Sequence, residues 1–162
     1  MKEITQRKVF DYLLKKGIKN FIGVPDSTLK HFVAQGLKKK LVIITTREEE
    51  AIGIAVGMTL SQSPSLVFMQ NAGFANSLST ITSLVELYDV PVLFLIGWRG
   101  YLKEDAPEHT KIGMIQPRLI KTLGLESQIL TDNSWKKVCD WAVKKIKNGR
   151  FCALIVRREF LD

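Results

Sequence analysis

The sequence has few cysteines and no long apolar runs. Its two cysteines, Cys139 and Cys152, have a spacing that matches neither a zinc motif nor a redox motif, and the surrounding patterns predict that both are buried. No apolar run is long enough to cross a bilayer, and the first residues lack the apolar segment of a secretion signal. We therefore expect a cytoplasmic protein with no metal ligands of its own and no membrane contact.

The sequence also lacks the glycine-rich motifs that hold phosphates. It contains neither a Gly-x-x-x-x-Gly-Lys loop nor a Gly-x-Gly-x-x-Gly fingerprint. Its net charge of +8 permits a nucleic acid, an acidic partner chain or an anionic substrate. Aromatic residues do not alternate with the lysines as stacking on bases would require, so we expect no nucleic-acid partner.

What the sequence does contain is a regular alternation of helical and strand patterns. Helices are predicted at about 4–16, 29–37, 48–61, 74–88 and 134–147, with a short one around Leu119 and Ile120. Strands are predicted at about 21–24, 41–45, 66–69, 92–96, 128–130 and 151–156. The strands are continuous apolar runs, which is typical of strands covered on both faces. We predict one domain over residues 1–162, an α/β fold with a doubly wound, mostly parallel six-stranded sheet and helices on both faces.

Polar segments follow several of the predicted strands. They lie at residues 25–27, 47–49 and 70–73, and a polar loop is predicted from residue 97 to about 113. In parallel α/β sheets, ligands bind beyond the carboxyl ends of the strands. We therefore expect these segments to meet at a binding site.

Three acids, Glu48, Glu49 and Glu50, begin the predicted helix at 48–61, which then continues with small residues. Acidic residues at a helix start commonly do no more than favour the helix dipole. Successive residues diverge by about 100° around a helix, so at most one of the three can face a site at the strand end. The residues alone do not decide which one.

The other polar segments also have two interpretations. Asp26 or Ser27 can cap the following helix, or can contact a substrate, and one residue can do both. Gln70, Asn71 and Gly73 can form a plain polar turn or can line a cleft.

Four segments, taken together, resemble a known family. The pattern of Glu48, Ala51, Ala55 and Gly57 resembles the pyrimidine-binding domain of thiamine-diphosphate enzymes. Residues 23–27 (Gly-Val-Pro-Asp-Ser), 70–76 and 95–100 resemble segments of the phosphonopyruvate and sulfopyruvate decarboxylases, in the same order along the chain.

The resemblance implies a role for each matching residue. Glu48 would hydrogen-bond to N1′ of the aminopyrimidine of thiamine diphosphate, and the cofactor would decarboxylate a 2-keto acid. Gln70, Asn71 and Gly73 would line the cofactor site. Asp26 would act in catalysis as a proton relay or would contact the substrate, and His109 would act in catalysis by shuttling protons. Ser27, Arg99 and Lys111 would bind an anionic substrate head, for which arginine is well suited.

The resemblance also implies a partner chain. Thiamine-diphosphate enzymes hold Mg²⁺ and the diphosphate with a Gly-Asp-Gly motif, which is absent here. We expect this motif and the Mg²⁺ on a separate β subunit, with the pyrimidine end of the cofactor on this chain, and we expect self-association through the pyrimidine domains. The predicted activity is decarboxylation of a small anionic 2-keto acid, 3-sulfopyruvate or alternatively phosphonopyruvate. A non-catalytic α/β binding or assembly protein of the same fold stays open.

Overall fold

The computed structural model describes residues 1–102 and 105–157. Helices alternate with strands along the chain, as the sequence patterns predict. The helices are α1 (Glu3–Lys15), α2 (Lys30–Lys38), α3 (Glu48–Leu60), α4 (Asn71–Asn76), α5 (Leu78–Thr80), α6 (Pro107–Thr122) and α7 (Trp135–Lys147). A 3₁₀ turn (Ser27–Leu29) precedes α2, and a π-helical segment (Ile81–Glu86) follows α5.

Within the described residues, six strands form a single parallel sheet. The strands are β1 (Asn20–Gly23), β2 (Val42–Ile44), β3 (Ser65–Gln70), β4 (Leu93–Trp98), β5 (Ser127–Ile129) and β6 (Cys152–Arg157). Their spatial order is β2-β1-β3-β4-β6-β5. Every pair is parallel, so the predicted α/β sheet is confirmed and has no antiparallel strand in this part of the chain.

The strand order reverses between β1 and β3. The chain runs from β1 outward to β2, then returns to place β3 on the other side of β1. In open α/β sheets such a reversal opens a crevice at the carboxyl ends of the two strands, because the following connections leave in opposite directions. The segments after β1 and β3 therefore meet at one place.

The two faces of the sheet carry separate apolar cores. On one face, α1, α2 and α7 pack against residues such as Phe21 and Phe68. On the other face, α3, α4, the π-helical segment and α6 pack against residues such as Ile22 and Met69. Alternate residues of each strand point to opposite faces, which explains why the strands read as unbroken apolar runs. Both cysteines are buried, and burial raises the pKa of each thiol to about 12.

The prediction of a loop from residue 97 to about 113 is wrong in its second half. Helix α6 begins at Pro107 and continues through Pro117 to Thr122, so His109 and Lys111 lie on a helix. Pro117 lacks the N–H that would bond to the carbonyl of Gly113. The indole Nε1 of Trp98 donates to that carbonyl at 3.0 Å instead, which satisfies the acceptor and lets the helix continue.

The predicted helix at 74–88 is also interrupted. Hydroxyl groups of Ser77, Thr82 and Ser83 donate to backbone carbonyls three or four residues earlier. Such bonds compete with the regular ladder and bend helices, and here the region divides into α4, α5 and the π-helical segment. Ser134 directly precedes α7, but its hydroxyl bonds to the Thr131 hydroxyl and makes no capping bond to the helix among the described residues.

Among the described residues, no helix combines the length and the apolar character needed to span a membrane.

Candidate functional site

The carboxyl end of β1 places Asp26 in the crevice. Its backbone is extended, and its Oδ2 accepts a hydrogen bond from the Thr28 N–H at 3.0 Å, so it caps the 3₁₀ turn. Its Oδ1 accepts a second bond at 3.0 Å from the Gln70 side chain, which comes from the end of β3. A Cβ on Gly97 would collide with Oδ2, so the glycine on β4 makes room for this carboxylate. The capping interpretation of Asp26 is confirmed, and the carboxylate also joins three strands.

The carboxyl end of β2 places Glu48 at the first position of α3. Its carboxylate lies against the backbone of Gly73 on α4, and a Cβ on Gly73 would collide with Glu48 Oε1. Within residues 1–102 and 105–157, no hydrogen bond or ion pair satisfies this carboxylate. The Glu48 side chain is partly buried, and it stands at the positive end of the helix dipole.

The other two acids of this helix point elsewhere. Glu50 turns back and accepts hydrogen bonds from the N–H and the hydroxyl of Thr46, both at 3.2 Å. Glu49 lies 3.4 Å from the Arg47 guanidinium. Of the three acids, Glu48 is therefore the one that faces the neighbouring helix α4. That Glu48 contacts a cofactor stays a prediction.

Asn71 joins the end of β3 to the end of β4. Its side chain is fully buried, donates to the Arg99 carbonyl at 3.0 Å and accepts from the Arg99 N–H at 3.1 Å. Both polar atoms of the amide are thereby occupied by the backbone of Arg99. Asn71 consequently fixes the start of the segment that follows β4.

Arg99 extends from β4 toward β1. Its Nη1 donates to the Ser27 hydroxyl at 3.0 Å, so the two predicted substrate-binding residues are in contact. Its Nε and Nη2 donate to the carboxylate of Asp105, with the shortest distance 2.7 Å. The hydrogen bonds from Arg99 hold the pKa of Asp105 well below its usual range, and the N–H groups of Gly100 and Ala106 lower it further.

Sequence reasoning missed Asp105. The residue lies in a stretch that the sequence pattern presents as a polar loop, although an aspartate just before Ala-Pro at a helix start is a signal for local capping. Trp98 was missed for a similar reason, because its role depends on Pro117, nineteen positions away in the chain.

The structure does not join His109 and Lys111 to this group. The His109 imidazole is 16% exposed, and Glu108 at 3.9 Å is its ion-pair neighbour among the described residues. The backbone of His109 packs closely against Gly100. Lys111 is exposed on α6. Their predicted roles stay predictions.

The site thus has two parts that are joined by the segment from Gln70 to Gly73. One part is Asp26, Ser27, Arg99 and Asp105, which Gln70 and Asn71 contact. The other is the carboxylate of Glu48, which is held over Gly73 and has no partner among the described residues. In the part of the chain that the structure describes, no three His, Cys, Asp or Glu side chains form a cluster for a metal ion.

Comparison with known proteins identifies the family. Residues 5–123 match the family described as thiamine pyrophosphate enzyme, N-terminal TPP binding domain. The chain belongs to this family. It is 32% identical over 136 residues to the sulfopyruvate decarboxylase subunit alpha of Methanococcus maripaludis, covering 82% of this chain and 81% of that protein.

One further relative and one solved structure are longer chains, and this chain matches only part of each. The phosphonopyruvate decarboxylase of Streptomyces viridochromogenes is 27% identical over 73% of this chain, and the match spans 30% of that protein. A split gene transketolase in an inactive beta4 tetramer superimposes with a TM-score of 0.72 at 12% identity, covering 98% of this chain and 52% of that chain. The structural likeness supports the fold alone.

Proposed function

We propose that this chain is the α subunit of a thiamine-diphosphate-dependent 2-keto acid decarboxylase. The substrate that fits best is 3-sulfopyruvate, which would give sulfoacetaldehyde and CO₂. The observation that supports this most is the Glu48 carboxylate, which is the one acid of its helix turned toward α4 and has no partner among the described residues. A relative named sulfopyruvate decarboxylase subunit alpha aligns over most of the chain.

The residues present fit the pyrimidine end of thiamine diphosphate. A carboxylate on a rigid helix, with both oxygens unoccupied by the described residues, can hold a ring nitrogen and share a proton with it. When bound, the cofactor supplies an electron sink for loss of CO₂ from a 2-keto acid. Gly73 provides the space in which the Glu48 carboxylate lies.

The remaining residues would orient the substrate. Arg99 and Ser27 would donate hydrogen bonds to the anionic head, and Asp26, held by Gln70, would exchange a proton with the reacting carbons or contact the substrate. Asn71 would act by holding the Arg99 segment in place, because its amide nitrogen and its amide oxygen each bond to the Arg99 backbone. His109 and Lys111 would approach the site from α6.

A partner chain would complete the site. We propose a β subunit that carries a Gly-Asp-Gly motif with Mg²⁺ and the diphosphate, while residues 1–162 form one pyrimidine-binding domain that also self-associates, in the cytoplasm. Helix α3 supports this assembly, because after its three glutamates it is almost entirely apolar and yet its outer face is exposed at Gly53, Gly57 and Leu60. A helix that is apolar all round is normally buried.

The test is co-purification with a chain that carries the Gly-Asp-Gly motif, followed by assay of CO₂ release with thiamine diphosphate and Mg²⁺. We expect turnover of sulfopyruvate by the assembled enzyme and none by this chain alone. Glu48→Gln should lower kcat by about 100-fold or more while the two chains still assemble. Turnover by the isolated chain would refute the divided site.

Two neighbouring variants are matched controls. Glu49→Gln and Glu50→Gln make the same change one and two residues along the helix, and we expect each to keep kcat within about threefold, since neither side chain faces α4. Loss of activity in either variant, with Glu48→Gln active, would show that another acid contacts the cofactor.

A further inference from the structure

Helix α2 is capped by a side chain from another helix. Its own N-cap residue is Leu29, which makes no side-chain capping bond. The N–H groups of His31 and Phe32, the second and third residues of α2, both donate at 3.2 Å to the side-chain oxygen of Gln6 on α1. These are the donors that an N-cap side chain ordinarily satisfies. The oxygen of Gln6 therefore takes the place of an N-cap oxygen.

The amide nitrogen of Gln6 holds the turn that precedes α2. It donates to the Thr28 carbonyl at 3.0 Å and to the Met1 carbonyl at 3.3 Å. Gln6 is 4% exposed, so water has little access to these bonds. The orientation of the amide follows from its partners, because exchanging its nitrogen and oxygen would set donors against donors and acceptors against acceptors. Gln6 thus joins the turn and the helix after it to α1.

The peptide group between Thr28 and Leu29 is fixed on both sides. Its carbonyl accepts from Gln6, and its N–H donates to the Asp26 carbonyl at 3.0 Å. The Thr28 N–H, one peptide group earlier, donates to Asp26 Oδ2 at 3.0 Å. The turn therefore closes around Asp26, while Gln6 holds it from the side of α1.

This turn carries two of the residues that would act on the substrate. Asp26 caps the turn and Ser27 is its first residue, so the backbone of the turn sets the position of both. The fully buried Leu29 side chain holds the end of the turn in the core. Loss of the Gln6 amide should consequently let the Thr28 peptide group rotate without unfolding α2. Displacement of a reacting group by an ångström is enough to slow a reaction strongly.

We propose that Gln6 is a positioning residue for the substrate side of the site. It acts through the Thr28 peptide group on Asp26 and Ser27. The inference rests on the proposed function, in which these two residues face the 2-keto acid. Glu48 follows a different strand and begins α3, so a change at Gln6 should leave the cofactor contact of Glu48 in place. Substrate kinetics and cofactor affinity should therefore respond differently.

The kinetic test compares Gln6→Met with the wild-type enzyme, each assembled with the partner chain. Methionine is unbranched and flexible and can fill the same space, but it lacks the amide donor and acceptor. We expect kcat/KM for the 2-keto acid to fall by about tenfold or more. The dissociation constant of thiamine diphosphate, measured by calorimetry with Mg²⁺, should stay within about twofold of wild type. An unchanged kcat/KM in the folded, assembled variant overturns the proposal.

Gln35→Met is the matched control. The Gln35 amide also joins α1 to α2, because it donates to Asp11 at 2.9 Å and accepts from Arg7 at 3.3 Å, but it lies away from the turn. We expect this variant to keep kcat/KM within about twofold of wild type, even where it lowers the midpoint of urea unfolding as far as Gln6→Met does. Equal losses of kcat/KM in both variants would show that packing of α1 on α2 is responsible, and would overturn the proposal.

A shorter side chain keeps the test available if Gln6→Met does not fold. Gln6→Asn retains the amide but is one methylene shorter, so it cannot bridge the Thr28 carbonyl and the first turn of α2 together. We expect the same loss of kcat/KM with the same unchanged cofactor affinity. Wild-type kcat/KM in a folded Gln6→Asn enzyme counts against the proposal.

A second measurement needs no activity. Hydrogen exchange of the full chain, followed by NMR, reports on the N–H groups of Thr28 and Leu29, whose acceptors both belong to Asp26. We expect both to exchange several-fold faster in Gln6→Met, because the peptide group between them is released. The Thr45 N–H, which donates to the Gly23 carbonyl at 3.1 Å, should exchange at the wild-type rate.

The two measurements separate this inference from the proposed function. Unchanged exchange at Thr28 and Leu29 overturns the inference alone. Absence of turnover by the assembled wild-type enzyme would refute the proposed function, and the exchange rates would still decide whether Gln6 holds the turn.

Discussion

Two carboxylates at the same edge of the sheet, Glu48 and Asp105, have opposite surroundings. Asp105 accepts from the Arg99 guanidinium and from the N–H groups of Gly100 and Ala106. Glu48 accepts from nothing among the described residues, although the helix dipole and the Gly73 backbone hold it in position. Among the described residues, the fold gives Asp105 several hydrogen-bond donors and gives Glu48 none.

The difference separates positioning from chemistry. A buried carboxylate with every acceptor used is rigid, and it is costly to remove because its partners lose their bonds. A carboxylate that is held by shape alone keeps its hydrogen-bonding capacity for a ligand. The segment from Gln70 to Gly73 lies between the two acids. At one end it contacts Asp26 and also Arg99, which is the partner of Asp105, and at the other end it contacts Glu48.

The largest expected effect comes from filling the space beneath Glu48. In Gly73→Ala the new Cβ would strike the Glu48 carboxyl group, which is the flexible end of a side chain, so the carboxylate would move and the backbone would stay in place. We expect kcat of the assembled enzyme to fall by about 100-fold, because displacement of a positioned group by an ångström is enough to lose that much. The unfolding free energy of the isolated chain should change by less than about 1 kcal/mol.

Gly53→Ala is the control for that stability measurement. It adds the same methyl group on helix α3, where nothing lies within 4 Å of the new Cβ. Helix propensity alone should raise the unfolding free energy by up to about 1 kcal/mol. If Gly73→Ala unfolds the chain while Gly53→Ala does not, Gly73 is required for packing and its proximity to Glu48 is incidental.

A smaller effect is expected when Asp105 is replaced, and it concerns how the unfolding free energy depends on pH. Its lowered pKa in the folded chain means that the charged form stabilises the fold above the ordinary aspartate range. Asp105→Asn should lower the unfolding free energy near neutral pH by about 2 kcal/mol, a typical value for hydrogen bonds to a charged group. The difference from wild type should shrink as the pH falls below about 4, where the unfolded chain takes up the proton.

Urea unfolding of both proteins at several pH values checks this expectation. Glu48→Gln is the matched comparison, since its carboxylate has no described partner and its removal should change stability little at any pH. A difference between Asp105→Asn and wild type that grows as the pH falls would show that the charged Asp105 does not stabilise the fold.

The sheet and most of the site are predictable from the sequence because both depend on local patterns. Apolar runs mark the strands, and polar segments after them must meet at the carboxyl edge of a parallel sheet, which is why the sequence pattern alone points to Asp26 and Gln70. The choice among Glu48, Glu49 and Glu50 requires side-chain directions, which depend on contacts with the preceding residues and with α4. The spacing of apolar residues along the sequence does not give these side-chain directions.

Helix α6 shows a different limit of sequence reasoning. Pro117 is a signal to end a helix, yet the helix continues through it. Trp98, at the end of strand β4, supplies the missing donor to the Gly113 carbonyl. Long-range compensation of a local defect cannot be inferred from the neighbours of the defect.

The smallest expected effect tests that compensation with a double-mutant cycle. Trp98→Phe removes the indole donor and leaves the Gly113 carbonyl unpaired, while Pro117→Ala restores the backbone N–H that would pair with it. Trp98→Phe should therefore destabilise the wild-type chain by about 1 kcal/mol more than it destabilises the Pro117→Ala chain. The loss of ring packing against Tyr101 and Arg157 is common to both backgrounds and cancels in the cycle. Equal costs in both backgrounds would mean that the indole contributes only through packing, and that the Gly113 carbonyl needs no donor at this position.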